Sequence, residues 1–403
     1  MTAVRRWAAT LAGLLAAAVL AAPLAPSPAT ARSPAPRPPA VPVLAFYYIW
    51  FDPASWNRAK IDYPQLGNYS SDDPRVLRQH IEWAKSAGID GFIVGWKDTA
   101  TNDRRLRLLM GVAAQLDFKL ALIYQGLDFS RKPLPVAQVA ADFATFRDQY
   151  ASDPVFYRIG GRPLTIWSGT WAYSHADVAR VTGAVRGSML VLNTEKSLDG
   201  YRRIADVTDG DAYYWSSVNP ATNGNYGAKL NAMGTAIHHN HQYWIAPFAP
   251  GFDARLVGGS KAVDRANGQT LRDEYATALR SSPDALGLIS WNEFSENSYV
   301  EPSQKYGTRY LDVLRELRRT AVPVPSSASD SSGQAGTPSG SRGSRWPVLL
   351  LFGFPFLLLL GAGLLGRRQR RRDRASRPAA PAASATPRPR DDTVGAGRHR
   401  PTL

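Results

Sequence analysis

Between residues 41 and 320 the chain repeats one alternation eight times, and nothing else in it constrains the fold as strongly. Short runs of apolar, aromatic and β-branched residues recur at "VLAFYYIW" (43–50), "DGFIVGW" (90–96), "KLALIYQ" (119–125) and "PLTIW" (163–167). They continue at "MLVLNT" (189–194), "DAYYWSS" (211–217), "QYWIAPF" (242–248) and "ALGLISWNE" (285–293). Between them lie segments such as "DPRVLRQHIEWAKSAG" and "YGTRYLDVLRELRR", whose apolar positions recur at helical spacing. Runs of the first kind read as strands and the second as helices. "AKSAGID" shows the junction: Gly88 suits the left-handed residue that closes a helix, and the next apolar run follows at once. Eight strand–helix units in one domain predict an α/β fold, a single (β/α)8 TIM barrel. The competing arrangement is an open doubly wound sheet, which carries a Gly-rich phosphate turn after its first strand. "YYIWFDPASWN" offers none.

A barrel of this kind gathers its active site at the C-terminal ends of its strands. The last run ends there in "ISWNEFSENSYVEP", with Glu293 and Glu296 three residues apart and Glu301 beyond. A buried strand has no use for carboxylates at its end unless protons or hydrogen bonds are needed there, so Glu293 and Glu296 are the candidate catalytic pair. Other strand ends supply Tyr47, Tyr48, Trp50 and Asp52, then Trp96, Lys97 and Asp98, then Tyr124, Gln125 and Asp128. Trp167, Glu195, Tyr213, Tyr214, Trp215 and Asn292 complete the set. Aromatic walls with polar groups between them suit a pyranose ring, which stacks on aromatic faces and offers hydroxyls to planar acceptors. Simpler readings stand beside these. Tyr47, Tyr213 and Trp215 are equally suited to filling the barrel, Asp52, Asp98 and Asp128 to capping turns, Glu195 to a solvated pair with Lys196, and Glu301 to bracing its loop. The i, i+3 spacing of the glutamates does not choose between retaining and inverting chemistry.

No metal or other cofactor is expected. The cluster "IHHNHQ" (237–242) precedes the seventh strand and so lies on the face opposite the active site, and His80 and His175 sit in helices. The chain has no cysteine, which removes disulfides, thiol nucleophiles and thiolate metal sites together.

The ends of the chain predict a membrane topology. Residues 1–31 have a positive start, an apolar stretch and a small-residue cleavage site, the three parts of a signal peptide. Residues 32–40 form a Pro-rich spacer, and 321–345 a Ser/Gly/Pro stalk. The uncharged run 346–366 matches the ~20 residues of a spanning helix. "RRQRRRDR" follows it, a positive-inside signal that puts the basic tail (367–403) in the cytoplasm and the barrel outside the plasma membrane. The net charge of +15 belongs to these ends. Four arginines precede residue 41, and thirteen arginines against four aspartates follow residue 320, which leaves +2 for the barrel. Nucleic-acid binding therefore loses its electrostatic support.

The order of motifs resembles glycoside hydrolase family 99 and its relatives. The resemblance rests on "LAFYYIWFDPASW", on "PQLGNYSSDDPRVLRQHIEWAKSAGIDGFIVGW", on "APFAPGFDAR" with "DRANGQTLRDEYATAL", and on "ISWNEFSENSYVEP", and it spans residues 43–317. It implies an endo-acting α-mannosidase on a (β/α)8 barrel that uses no cofactor and acts on α-linked, mannose-containing glycans. It also implies that Glu293 and Glu296 are the catalytic pair. Glu293 would deprotonate the substrate's own 2-hydroxyl, which attacks C1 to give a 1,2-anhydro sugar. Glu296 would protonate the leaving oxygen and then activate water. Three departures stand out. Phe294 and Ser295 replace a Trp and a His, Asn297 replaces a glycine, and "IYQGLDF" stands where a Glu-Pro segment is typical. With these departures the alternatives are a related α-glucanase or another envelope polysaccharide hydrolase, and, from another class, a non-catalytic glycan-binding protein that keeps the aromatic platforms on a degenerate barrel.

Overall fold

The computed structural model describes residues 40–320. The predicted signal peptide, stalk, spanning helix and tail, and all but the last residue of the predicted spacer, lie outside these residues. Among the described residues no helix is long and apolar enough to cross a membrane.

Eight parallel strands form the barrel: β1 (Val43–Tyr48), β2 (Gly91–Trp96), β3 (Lys119–Gln125), β4 (Arg162–Ser168), β5 (Leu190–Asn193), β6 (Gly210–Ala212), β7 (Tyr243–Phe248) and β8 (Ala285–Leu288). Each pairs with its sequence neighbours, and β8 returns to β1 with Val43 opposite Leu286. Eight helices follow the strands in turn: α1 (Pro74–Ser86), α2 (Ala100–Gln115), α3 (Val136–Gln149), α4 (His175–Gly183), α5 (Leu198–Ile204), α6 (Asn225–His239), α7 (Gln269–Arg280) and α8 (Arg309–Arg319). Two short additions sit outside this scheme. Arg158–Ile159 forms a hairpin with the start of β4, and Phe252–Asp253 pairs with Ala262–Val263 in the β7–α7 connection.

Local chemistry explains the boundaries. Asp73 caps α1 by accepting from the Arg75 N–H, and Pro74 occupies the first turn, where its missing N–H costs nothing. Leu77, His80, Ile81 and Ala84 then bury one stripe of the helix. Gly88 ends it with φ +79°, in the left-handed region that a side chain would resist.

Strand parity divides the core into two layers. Leu44, Phe46, Ile93, Ala121, Ile123, Leu164, Ile166, Ile245 and Ala285 point into the barrel and fill it. Their neighbours Val43, Ala45, Tyr47, Phe92, Val94, Trp96, Leu122, Tyr124 and Trp167 point outward against the helices. Both faces are dry, so both contribute, at about 1.5–3 kcal/mol for each large apolar side chain buried. β6 and β8 are shorter than their apolar runs suggest. Tyr213 to Ser217 and Ile289 to Glu293 leave the sheet and pack as buried or half-buried loops.

Candidate active site

The β8–α8 loop leaves the barrel at Ile289, whose N–H still donates to Phe248 O at 2.8 Å. The Ile289–Ser290 peptide bond is cis. The loop then closes on itself: Ser290 N donates to Ser298 O at 2.7 Å, Val300 N to Ser290 O at 3.0 Å, and Glu301 N to Trp291 O at 2.9 Å. Residues 292–297 are thereby presented as a tip over the strand ends. Glu293 and Glu296 both lie on that tip and are each only 4% exposed.

Asn292 anchors the tip to β1. Its Oδ1 accepts from Tyr48 N and its Nδ2 donates to Tyr48 O, each at 2.9 Å. The side chain acts as one more rung on a strand that has run out of partners. Ser290 Oγ accepts from Glu293 N at 2.8 Å, and Ser295 N donates to Glu293 Oε1 at 3.1 Å. On the other flank, Asp253 N donates to Glu296 O at 2.7 Å.

The two carboxyls sit in different fields. Burial raises Glu293 to about 7, opposed by the Ser295 N–H and by the charge of Lys60. Burial raises Glu296 well above the carboxylate range, and the charge of Glu293 adds to that, while Arg131 opposes it. Both carboxyls are therefore raised, and as a coupled pair they give up their two protons in separate steps.

Two tyrosines close the floor. Tyr48 and Tyr214 share a hydrogen bond of 2.5 Å between their hydroxyls, and the charges of both glutamates reach both rings. Tyr48 stacks on half-buried Trp50 with centroids 4.1 Å apart and planes 19° apart. Half-buried Trp215 carries the Lys261 ammonium 5.3 Å from its ring centroid. Gln125 is half-buried on the inward side of β3. The structure thus gathers Glu293, Glu296, Tyr48, Trp50 and Tyr214 at the mouth, with Gln125 and Trp215 at strand ends on the same face.

Other predicted contacts are corrected. Tyr47, Trp96, Tyr124 and Trp167 point outward, because each has the parity of the helix-facing layer. Tyr47 Oη bonds His80 Nδ1 at 3.0 Å, Trp96 Nε1 donates to Asp103 at 3.0 Å, and Tyr124 Oη donates to Asp142 at 2.8 Å. Trp167 packs between Phe143 and Tyr173. Asn292 has its amide committed to Tyr48, and Asp52 accepts from Ser55 N at 2.9 Å as the cap of a short 3-10 turn, so neither is placed to meet a sugar. Tyr213 also faces outward and accepts from Lys229 Nζ at 2.8 Å.

Acidic groups of the rim mostly brace. Glu301 accepts from Tyr69 Oη at 2.9 Å and from His80 Nε2 at 3.1 Å. The His80 ring links Glu301 to the Tyr47 hydroxyl. Glu195 is buried rather than solvated; it accepts from Thr170 Oγ1 and pairs with Arg203 at 3.1 Å. Asp128 accepts from Lys132 N, and Lys97 Nζ donates to Leu127 O. His238 bonds Asp284 at 3.0 Å, and among the described residues no group of three or more His, Asp or Glu is placed to hold a metal.

Sequence reasoning missed Lys60 and Arg131, whose charges oppose the rise of Glu293 and Glu296, and Ser290, which holds the Glu293 main chain. Lys60 and Arg131 stand in the β1–α1 and β3–α3 loops, on the face the barrel assigns to function, and that position was the available signal.

Comparison with known proteins agrees with this architecture. The profile described as Glycosyl hydrolase family 99 matches residues 52–319. Glycoprotein endo-alpha-1,2-mannosidase of Rattus norvegicus is 22% identical over 280 residues, which cover 62% of this chain and 59% of that protein. The Homo sapiens glycoprotein endo-alpha-1,2-mannosidase-like protein is 25% identical over 283 residues, covering 62% of this chain and 60% of its own. The match thus spans about three-fifths of the length of these curated relatives. Among solved structures, the GH99 endo-alpha-mannosidase of Bacteroides thetaiotaomicron, in complex with bis-tris-propane, superposes with a TM-score of 0.61 at 23% identity. It covers 69% of this chain and 97% of that one, a likeness of fold. A family match that runs from the end of β1 through α8 and takes in both tip glutamates leaves one assignment: the chain belongs to glycosyl hydrolase family 99.

Proposed function

We propose that the chain is an endo-acting glycoside hydrolase of α-linked, mannose-containing glycans, with Glu293 and Glu296 as its catalytic groups. The observation that carries this reading is the pair of buried carboxyls on one loop tip at the C-terminal end of the barrel, and the raised pKa of each, caused first by burial, agrees with it. The names of the mannosidase relatives support the choice of sugar. Ionised Glu293 takes the proton of the substrate's 2-hydroxyl as that oxygen attacks C1. Glu296 gives its proton to the departing glycosidic oxygen, so the C1–O bond breaks as a 1,2-anhydro ring forms. Water then opens the ring at C1, Glu296 accepting its proton and Glu293 returning one to O2. No step requires a metal or redox group. Trp50 and Tyr214 provide the aromatic floor on which the reacting ring rests, with buried Tyr48 backing both.

The barrel works outside the plasma membrane in this proposal, tethered by the helix 346–366 after removal of residues 1–31. Protease accessibility of the barrel, but not of the basic tail, in intact cells tests the tether.

The activity test incubates full-length protein, Glu293→Gln and Glu296→Gln with α-mannans and α-glucans and follows released oligosaccharides. The expected result is release from an α-mannan, reduced by about 10²–10⁴ in each variant. Release from α-glucan alone replaces the sugar. Retention of a polymer in an affinity gel, with no cleavage, replaces the enzyme by a glycan-binding protein.

A further inference from the structure

Arg265 lies in the β7–α7 connection and is 4% exposed. Its Nη2 donates to Asn297 O and to Tyr299 O, both at 2.9 Å, with a longer contact of 3.4 Å to Asn297 Oδ1. Its guanidinium lies 4.5, 4.8 and 4.5 Å from the ring centroids of Tyr299, Tyr306 and Tyr310. The Tyr310 hydroxyl is its remaining polar side-chain neighbour, and among the described residues no carboxylate forms an ion pair with Arg265. A buried guanidinium without a counter-ion is costly. Ring faces offset part of that cost, and its two shorter hydrogen bonds go to the main chain of one loop.

That loop is the one bearing Glu296. The gripped carbonyl of Asn297 belongs to the residue directly after it, and Asn297 has φ +49°, a conformation that glycine adopts most readily. On the other flank, Asp253, in the same β7–α7 connection as Arg265, holds the carbonyl of Glu296 itself. Gly251 lets the two strands of this connection close up, since a Cβ there would lie 2.6 Å from Arg265 Cγ. The main chain of Glu296 and Asn297 is therefore gripped twice from one neighbouring segment.

We infer that Arg265 is a positioning residue: it holds the Glu296–Asn297 turn in its left-handed form and so aims the Glu296 carboxyl at the scissile oxygen. The role of Glu296 in this inference rests on the function proposed above. Both carbonyls are served by the two hydrogens of one nitrogen, Nη2, while the planar guanidinium lies against three rings; a lysine ammonium is one bond shorter and has no planar face, so it does not reproduce this grip.

The test uses full-length Arg265→Lys, Asn297→Gly and the double variant, each checked for a native thermal melt. Arg265→Lys is expected to lose about 10–100-fold in kcat, the scale of a small misplacement, while KM stays within about threefold. Its alkaline kcat limb shifts as Glu296 leaves its site. Asn297→Gly alone stays near wild type and, added to Arg265→Lys, recovers about tenfold, because glycine keeps the turn unaided. A second readout needs no substrate: 13C titration of the Glu296 carboxyl in a Glu293→Gln background, whose midpoint moves on Arg265→Lys. If wild type cleaves no α-mannan, the functional reading fails and this titration still judges Arg265. A wild-type kcat with an unmoved midpoint, a loss explained by unfolding, or no recovery with glycine each overturns the inference.

Discussion

Replacing Asn292 by alanine separates a brace from a substrate contact. The amide makes two hydrogen bonds of 2.9 Å to the main chain of Tyr48, and both residues are essentially inaccessible. Alanine leaves Tyr48 N–H and C=O without these partners, at about 1–3 kcal/mol for each buried unsatisfied group. Together the loss is about 4 kcal/mol, close to a thousandfold in the folding equilibrium. At about 2–4 °C per kcal/mol for a domain of this size, the melting temperature falls by about 8–16 °C. Asn292→Asp keeps the acceptor for Tyr48 N–H but sets an anion against Tyr48 C=O, so it costs at least as much. Urea unfolding and scanning calorimetry of the two variants measure this directly. A variant that melts within about 2 °C of wild type yet binds glycan more weakly would refute the brace and restore Asn292 as a sugar contact.

Three further outcomes follow from the same geometry. Lys60→Met removes the charge that opposes the rise of Glu293, so the acid limb of kcat/KM moves to higher pH; a pH–rate profile superposable on wild type contradicts the field assigned to Lys60. Glu301→Gln turns one carboxylate oxygen into a donor facing Tyr69 or His80, both donors to it, and costs about 2 kcal/mol in chemical denaturation while kcat of the folded fraction is kept. Glu274 is fully buried with its pKa raised well above the carboxylate range, so its contribution is complete below the unfolded value and is lost as pH climbs towards the folded one. Glu274→Gln should therefore raise the melting temperature more at pH 8 than at pH 5, and an equal change at both values rejects this linkage.

The barrel was legible because eight runs and eight helical periods survive in the sequence without interruption. The loop glutamates were legible because carboxylates beside an apolar run need a reason. What the sequence withheld was parity. β1, β2 and β3 are apolar on both faces, so nothing in "FYYIW" says that Tyr47 turns to the helices and Tyr48 to the mouth. One residue of misjudged phase moves an aromatic from a sugar platform to the outer core, which is what befell Trp96, Tyr124 and Trp167. Arg265 was hidden for another reason: its partners are main-chain carbonyls, and a carbonyl leaves no mark in a sequence.

In most barrels of this type catalytic groups come from several different strands, so their spacing follows the breathing of the whole cylinder. Here Glu293 and Glu296 share one self-paired loop, tied to β1 by Asn292 and to the β7–α7 connection by Asp253 and Arg265. Their mutual separation is a property of a few consecutive peptide units rather than of the cylinder's girth. The two carboxyls should ride together through thermal motion, and the segment could be transplanted as a cassette, provided its three tethers travel with it.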